Sequence, residues 1–404
     1  MMKILLATYW SIPHLGGVWN YMSQLKTRLE ELGHTADILG YGGENTYVHL
    51  VGRDKVIPRE RWIPYVSSIL QRSKYPEVYQ NNYIEYMETQ RYTYELAAAE
   101  FGLHDYDIIH TQDVLSTIAL NQVKPEGVPL VATLHGLVSH EMRHILQSSQ
   151  KSPTSHLAEA YFDHIEKLGA QSASVTIVAN DWLRSILVEE FGVQNEQFEK
   201  LHYGFSIGRF LEQQALPTTM QVPPGKKLII YTGRLIELKG VGYLIDALAS
   251  LKDRQDWACW IIGKGRDQQQ LQNRVVNAGL QAHVSFLGKR EDVPSILKLA
   301  DIAVSPSLID NQPLSVIEAQ LSGKAVIVSD AGGLPEMVNH GVTGLVIPKA
   351  DTGALRSAIQ TLLEDESYCK VLGEHAKEWG MSHWSMESGV DHLLEIYKRF
   401  VPGS

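Results

Sequence analysis

Leu228-Ile229-Ile230-Tyr231-Thr232-Gly233-Arg234-Leu235-Ile236-Glu237-Leu238-Lys239-Gly240-Val241 reads as a buried strand, a turn holding two cations, and the start of a helix. An unbroken apolar run flanked by turn residues is the pattern of a strand covered on both faces. Val241 to Leu251 continues with helical periodicity. The unit recurs downstream. Trp257 to Ile262 is predicted as a strand and Gln268 to Ala278 as a helix. Strands follow at Val284 to Leu287, Ile302 to Ser305 and Ala325 to Ser329, with helices between them. Such alternation builds a parallel sheet with helices on both faces.

The first half carries an earlier series of the same kind. Lys3 to Thr8 is a predicted strand, and Gly16-Gly17 makes a turn. Val18, Tyr21, Met22, Leu25, Leu29 and Leu32 then share one helical face. Gly33 stops that helix and His34 to Leu39 returns as a strand. Ile108-Ile109-His110, Leu130 to Leu134 and Ser174 to Val178 extend the series. Two series in 404 residues predict two doubly wound domains. The stretch 206–225, with Pro217, Pro223 and Pro224, lacks clean periodicity and is expected to link them. The expected organisation is a first domain of residues 1–205, the linker, and a second domain of residues 226–384. A last helix within 385–404 is expected to rejoin the first domain.

Composition narrows the function. Residues 1–200 hold 16 Lys and Arg against 24 Asp and Glu, a balance of −8 out of a net −10. An acidic half does not track nucleic acid or an anionic membrane surface. Two isolated cysteines, Cys259 and Cys369, make neither a disulfide framework nor a zinc site and suit a reducing cytoplasm. No apolar run reaches membrane-spanning length, and the N-terminal apolar run is too short for a signal peptide. Loose contact with a membrane surface stays compatible with this.

Residues 45–100 are irregular and rich in tyrosine. Nine of the eighteen tyrosines lie between Tyr47 and Tyr106. Tyr75, Tyr79, Tyr83 and Tyr86 are predicted on one helical face, which either stacks on an acceptor or packs on the sheet.

Open α/β sheets bind ligands at the carboxyl ends of their strands, so the turns there carry the candidate chemistry. Pro13-His14-Leu15-Gly16-Gly17-Val18 opens a helix whose N–H groups favour an anion. Arg234 and Lys239 converge with a helix start and would hold a diphosphate without metal. Gly263-Lys264-Gly265 and Gly288-Lys289-Arg290 complete the rim, the latter offering groups to a base. There is no dinucleotide fingerprint and no Walker loop. Ser305-Pro306-Ser307-Leu308-Ile309-Asp310-Asn311-Gln312-Pro313-Leu314-Ser315-Val316-Ile317-Glu318-Ala319 places Asp310 on a loop and Glu318 on the helix that follows. A carboxylate can accept from two vicinal hydroxyls, so this pair could hold the two sugars of a nucleotide-sugar. Asp105-Tyr106-Asp107 resembles a metal motif but precedes a strand, at the wrong end of the sheet.

Gly16-Gly17-Val18, Gly233-Arg234-Leu235 with Lys239-Gly240, and Pro306 through Glu318-Ala319 to Gly323 together resemble the retaining glycosyltransferases of family four. The likeness covers nearly the whole chain. It implies the GT-B fold, two doubly wound Rossmann-like domains facing a central cleft. Two departures are Asp310, where that family usually has Glu, and His202-Tyr203-Gly204-Phe205, where it often shows Asn-Gly-Val/Ile-Asp.

By resemblance, the Gly17 backbone faces the donor phosphates, Gly16 and Gly233 belong to the donor-binding turns, and Arg234 and Lys239 neutralise the diphosphate. Glu318 takes the ribose. Asp310, with backbone amides of Asn311, Gln312 and Leu314, takes the transferred sugar. Gly263, Lys289 and Arg290 line the nucleotide, and His135 lines the donor sugar. The resemblance further implies a UDP-sugar donor, with GDP-sugar as the other choice, a glycan or small-molecule acceptor, retention of configuration, and no metal or cofactor. A GT-B phosphorylase, a nucleotide-sugar epimerase and a non-catalytic sugar-binding protein are the rival expectations.

Overall fold

The computed structural model describes residues 1–13, 16–148 and 152–401. The chain divides into two compact units, Met1–Gly204 together with the helix Met386–Phe400, and Phe205–Ser385. Among the described residues no helix is long and apolar enough to cross a membrane.

The first unit holds an eight-stranded sheet. Its strands are β1 (Lys3–Ser11), β2 (Thr35–Gly42), β3 (Tyr47–Leu50), β4 (Val56–Pro58), β5 (Ile108–Thr111), β6 (Leu130–Leu134), β7 (Val175–Val178) and β8 (Phe198–Lys200). They lie in the order β4-β3-β2-β1-β5-β6-β7-β8. All neighbours are parallel except the β2–β3 and β3–β4 pairs. Alternate residues of β1 feed different cores, as the two-residue period of a strand requires. Leu5 and Ala7 face the helices Asn82–Ala99, Val114–Val123 and Ser155–Gln171. Ile4 and Leu6 face the helices Gly17–Glu31 and Met386–Phe400. The last helix is held by buried Val390, Leu393, Ile396 and Tyr397. The Tyr397 hydroxyl also lies 2.6 Å from His110 Nδ1 on β5.

The second unit holds six parallel strands: β9 (Lys227–Thr232), β10 (Trp257–Ile262), β11 (Val284–Gly288), β12 (Ile302–Ser305), β13 (Ala325–Ser329) and β14 (Leu345–Ile347). Their order is β11-β10-β9-β12-β13-β14. The strand order therefore reverses between β9 and β12, and a crevice opens at the carboxyl ends of such a pair. In the first unit the reversal falls between β1 and β5.

Two sequence expectations change. Part of the stretch expected as linker is a helix, Ile207–Ala215, whose Ile207 and Phe210 enter the second unit's core. Its short apolar face is invisible beside the prolines that follow. Tyr75, Tyr79, Tyr83 and Tyr86 do not share one helix. Pro76–Gln80 is a short 3-10 turn, and Asn81 then caps a new helix by accepting from Tyr83 N at 2.8 Å. A capping side chain sets a helix start and so a new phase for the periodicity.

Candidate functional site

The turns after β9, β10, β12 and β13 interlock through their backbones. Gly240 adopts φ +68°, and a Cβ there would lie 1.8 Å from the Pro306 carbonyl oxygen. Gly332 adopts φ +64°, and a Cβ there would lie 1.9 Å from the carbonyl oxygen of Asp310. Only glycine allows both the left-handed backbone and the close approach. Leu308 N donates to Leu238 O at 2.8 Å, and Gly333 N to Asp310 O at 2.9 Å. These contacts hold the candidate cations and acids in register across the β9–β12 reversal.

Lys239 Nζ donates to Asp310 Oδ2 at 2.6 Å, with both side chains largely buried. Ser307 Oγ donates to the same oxygen at 3.0 Å, and Asn311 N to Oδ1 at 3.2 Å. A carboxylate offers about four acceptor positions and an ammonium three N–H groups. Asp310 thus keeps about one position open, and Lys239 about two donors. Arg234 is exposed, and its guanidinium has no ion pair among the described residues. Tyr231 hydroxyl donates to Arg234 O at 2.9 Å. Burial raises the Tyr231 phenol pKa; Asp310 adds to this and Arg234 opposes it, so both charges act on this ring.

Glu318 lies one turn into the helix Leu314–Leu321 and is half-buried. Its carboxyl group has no hydrogen bond or ion pair among the described residues. Removal from water raises its pKa to about 7. A carboxylate withdrawn from water without a partner is a functional-site signal.

Other expected residues fall into place unevenly. Gly263 packs against Gly233, where a Cβ would sit 1.8 Å from the Gly233 oxygen. Lys289 is exposed after β11. Arg290 is engaged by Asp292 through two bonds of 2.7 and 2.6 Å, so its charge is already matched. Asn311 and Gln312 are buried, and Leu314 opens the helix.

In the first unit, His14 and Leu15 of the glycine turn lie outside the described residues. Gly16 stands at the N-cap in extended backbone, and Gly17 is the first residue of its helix. Among the described residues no side chain caps this helix, and no acid sits in its first turn, which favours an anion at its N–H groups. One turn on, Tyr21 meets the His135 ring edge at 5.3 Å. His135 follows β6, packs at 4.4 Å on Tyr203, and bonds Gln112 through Nε2 at 2.9 Å. Burial lowers its pKa to about 3, so the imidazole is neutral. Asp113 crosses the β1–β5 reversal, accepting from Thr8 Oγ1 and Tyr9 N, both at 2.8 Å. Asp107 of the discounted motif accepts from Lys3 N at 2.6 Å, before β5.

Sequence reading missed Ser307, Gly332, Gln112, Tyr21 and Tyr203. Gly332-Gly333 directly after a strand was an available signal for a close approach. Ser307 stands three positions before Asp310, within local reach, whereas Gln112, Tyr21 and Tyr203 emerge only from contacts between distant segments.

The family model described as Glycosyltransferase Family 4 matches residues 15–209, and that described as Glycosyl transferases group 1 matches residues 213–379. The chain is 23% identical to the MMP alpha-(1->4)-mannosyltransferase of Mycolicibacterium hassiacum, over 99% of this chain and 98% of that relative. Sucrose-phosphate synthase from Thermosynechococcus elongatus has a like fold, with TM-score 0.75, 20% identity and full coverage of both chains. Anabaena HepE in complex with UDP and glucose aligns at TM-score 0.66 and 20% identity, over 99% of this chain and 100% of that one.

Proposed function

Because the chain belongs to the group 1, family 4 glycosyltransferases and is a sugar-transferring enzyme of GT-B fold, we propose that it moves a hexose-type sugar from a nucleoside-diphosphate-sugar to an acceptor hydroxyl with retention of configuration. The donor we assign is a UDP-sugar, with GDP-sugar as the nearest competitor, and the acceptor is a glycan or small molecule. The observation that carries this reading is the β9–β12 reversal, where Lys239, anchored on Asp310, lies on the turn that also bears exposed Arg234.

The two cations neutralise the leaving diphosphate, as preorganised charge should where charge develops. The bond from the anomeric carbon to phosphate oxygen breaks, and its electron pair stays on the diphosphate. The acceptor oxygen bonds to that carbon on the same face and gives its proton to a phosphate oxygen. No protein nucleophile is required, nor a metal or cofactor. Glu318 accepts from the ribose hydroxyls, and the remaining acceptor position of Asp310 takes a hydroxyl of the transferred sugar. Two buried, unpaired cysteines suit a cytoplasmic setting.

A thermal-shift series with nucleotide-sugars tests the donor, because a ligand that binds only the folded state raises stability with concentration. A shift with a UDP-sugar, followed by release of UDP when an acceptor is added, supports the reading. Turnover of disaccharides with inorganic phosphate, without nucleotide, would count against it.

A further inference from the structure

Gln112 follows β5 at the reversal point of the first sheet and is 1% exposed. Its Oε1 lies 2.9 Å from His135 Nε2. In this orientation of the Gln112 amide the oxygen facing the ring can only accept, which assigns the imidazole proton to Nε2. The ring is neutral, and protonation on Nε2 leaves a lone pair on Nδ1. That nitrogen has no hydrogen-bond partner among the described residues. Tyr203 at 4.4 Å and Tyr21 at 5.3 Å pack on the ring and restrict its rotation. Tyr203 is itself tied down, its hydroxyl donating to Leu134 O at 2.7 Å. Gln112 also keeps a buried Nε2 with no partner among the described residues. One buried amide thus spends its acceptor on His135 and holds an unused donor beside it.

We infer that Gln112 is a positioning residue that holds His135 as the neutral Nε2-protonated tautomer, so that Nδ1 accepts from a sugar hydroxyl and cannot serve a phosphate or carboxylate. A lone pair aimed at an anionic oxygen repels it; aimed at a hydroxyl it accepts. The identity of the ligand as a sugar rests on the glycosyl-transfer reading, whereas the tautomer does not. Among the described residues the titratable groups against the ring are Tyr21 from the first helix, Tyr203 after β8, and His110 from β5. Burial holds the His110 pKa near 3 and raises that of Tyr21.

Nitrogen-15 histidine labelling of the full chain reads the tautomer directly, without substrate. His135 should show Nε2–H and no titration between pH 5 and 8. In Gln112→Met the two tautomers should mix. In Gln112→Glu, Nε2–H should persist while the ring pKa climbs, since a carboxylate favours the cation. Kinetically, Gln112→Met should lower kcat roughly tenfold or more. Gln112→Glu should recover part of that loss near pH 8 and show an acid limb that the unaltered enzyme lacks. In a His135→Ala background, Gln112→Met should cost nothing further. An Nδ1–H or protonated ring in the unaltered chain overturns the inference even if the variants fail to fold. So does an unchanged His135 tautomer in Gln112→Met, or an additive loss in the double variant. The spectra decide the role of Gln112, and turnover decides the glycosyl-transfer reading.

Discussion

Lys239 Nζ and Asp310 Oδ2 lie 2.6 Å apart, joining the turn after β9 to the turn after β12. A cation expected to meet a diphosphate is thus already held by an acid expected to meet a sugar. Truncating either partner should therefore disable both tasks. Lys239→Met and Asp310→Asn should each lower kcat/KM by about ten- to a hundredfold, consistent with a charge-assisted bond of roughly 1.5–3 kcal/mol. The double variant should be little worse than the poorer single one, because the residues act as a unit. Fully additive losses in that cycle would reject the shared role.

Arg234 offers the contrasting case. Exposed and unpaired among the described residues, it contributes little to the fold. Arg234→Ala should leave the melting temperature within about 2 °C, since surface changes away from special features are small. The same variant should weaken donor use by roughly tenfold or more. Unimpaired kinetics would remove Arg234 from the site.

Glu318 predicts a pH dependence. Its folded pKa, about 7, lies above the ordinary carboxyl value of 4.5. Between those values the folded chain binds more protons than the unfolded one, so stability falls as pH rises through this window and then levels off. Glu318→Gln removes this penalty. The variant should be more stable than the parent at pH 8, by on the order of 1–2 kcal/mol after allowance for partial exposure. The gain should vanish near pH 4. Its donor affinity should fall at the same time, which thermal melts with and without UDP can record. Equal melting points at pH 8 would count against a desolvated, unpartnered carboxyl group.

Gly240 tests the interlocked turns. Gly240→Ala forces a side chain against the Pro306 carbonyl as well as straining φ +68°. It should cost about 2 kcal/mol or more and abolish most transfer. Gly225 has a similar φ of +73° but open space around it. Gly225→Ala should cost only about 1 kcal/mol, the price of backbone strain alone, and keep activity. Equal losses in calorimetry would show that strain rather than the close approach governs Gly240.

The local placement of the candidate residues was legible in the chain. Arg234, Lys239 and Asp310 sit in turns that follow apolar strands and Glu318 in the helix after Asp310, and period and punctuation alone place them there. What could not be read was their pairing. Lys239 and Asp310 stand 71 positions apart, and local spacing carries no information about contacts of that range. Arg290 is the opposite case. It was expected on the turn that offers groups to a base, and its guanidinium is held by Asp292 only two positions away. The tyrosines misled because periodicity was carried across a helix start at Asn81.

The sequence by itself determined the two series of strands and helices, and with them the parallel sheets and the turns at the carboxyl ends. Those are short-range properties, set by apolar period, glycine and capping residues. Only the tertiary structure decided that Asp310 anchors Lys239, that Glu318 has no partner among the described residues, and that His135 takes its proton geometry from Gln112. Strand order brings these groups together, and strand order is selected by the packing of whole cores rather than by any local run of residues.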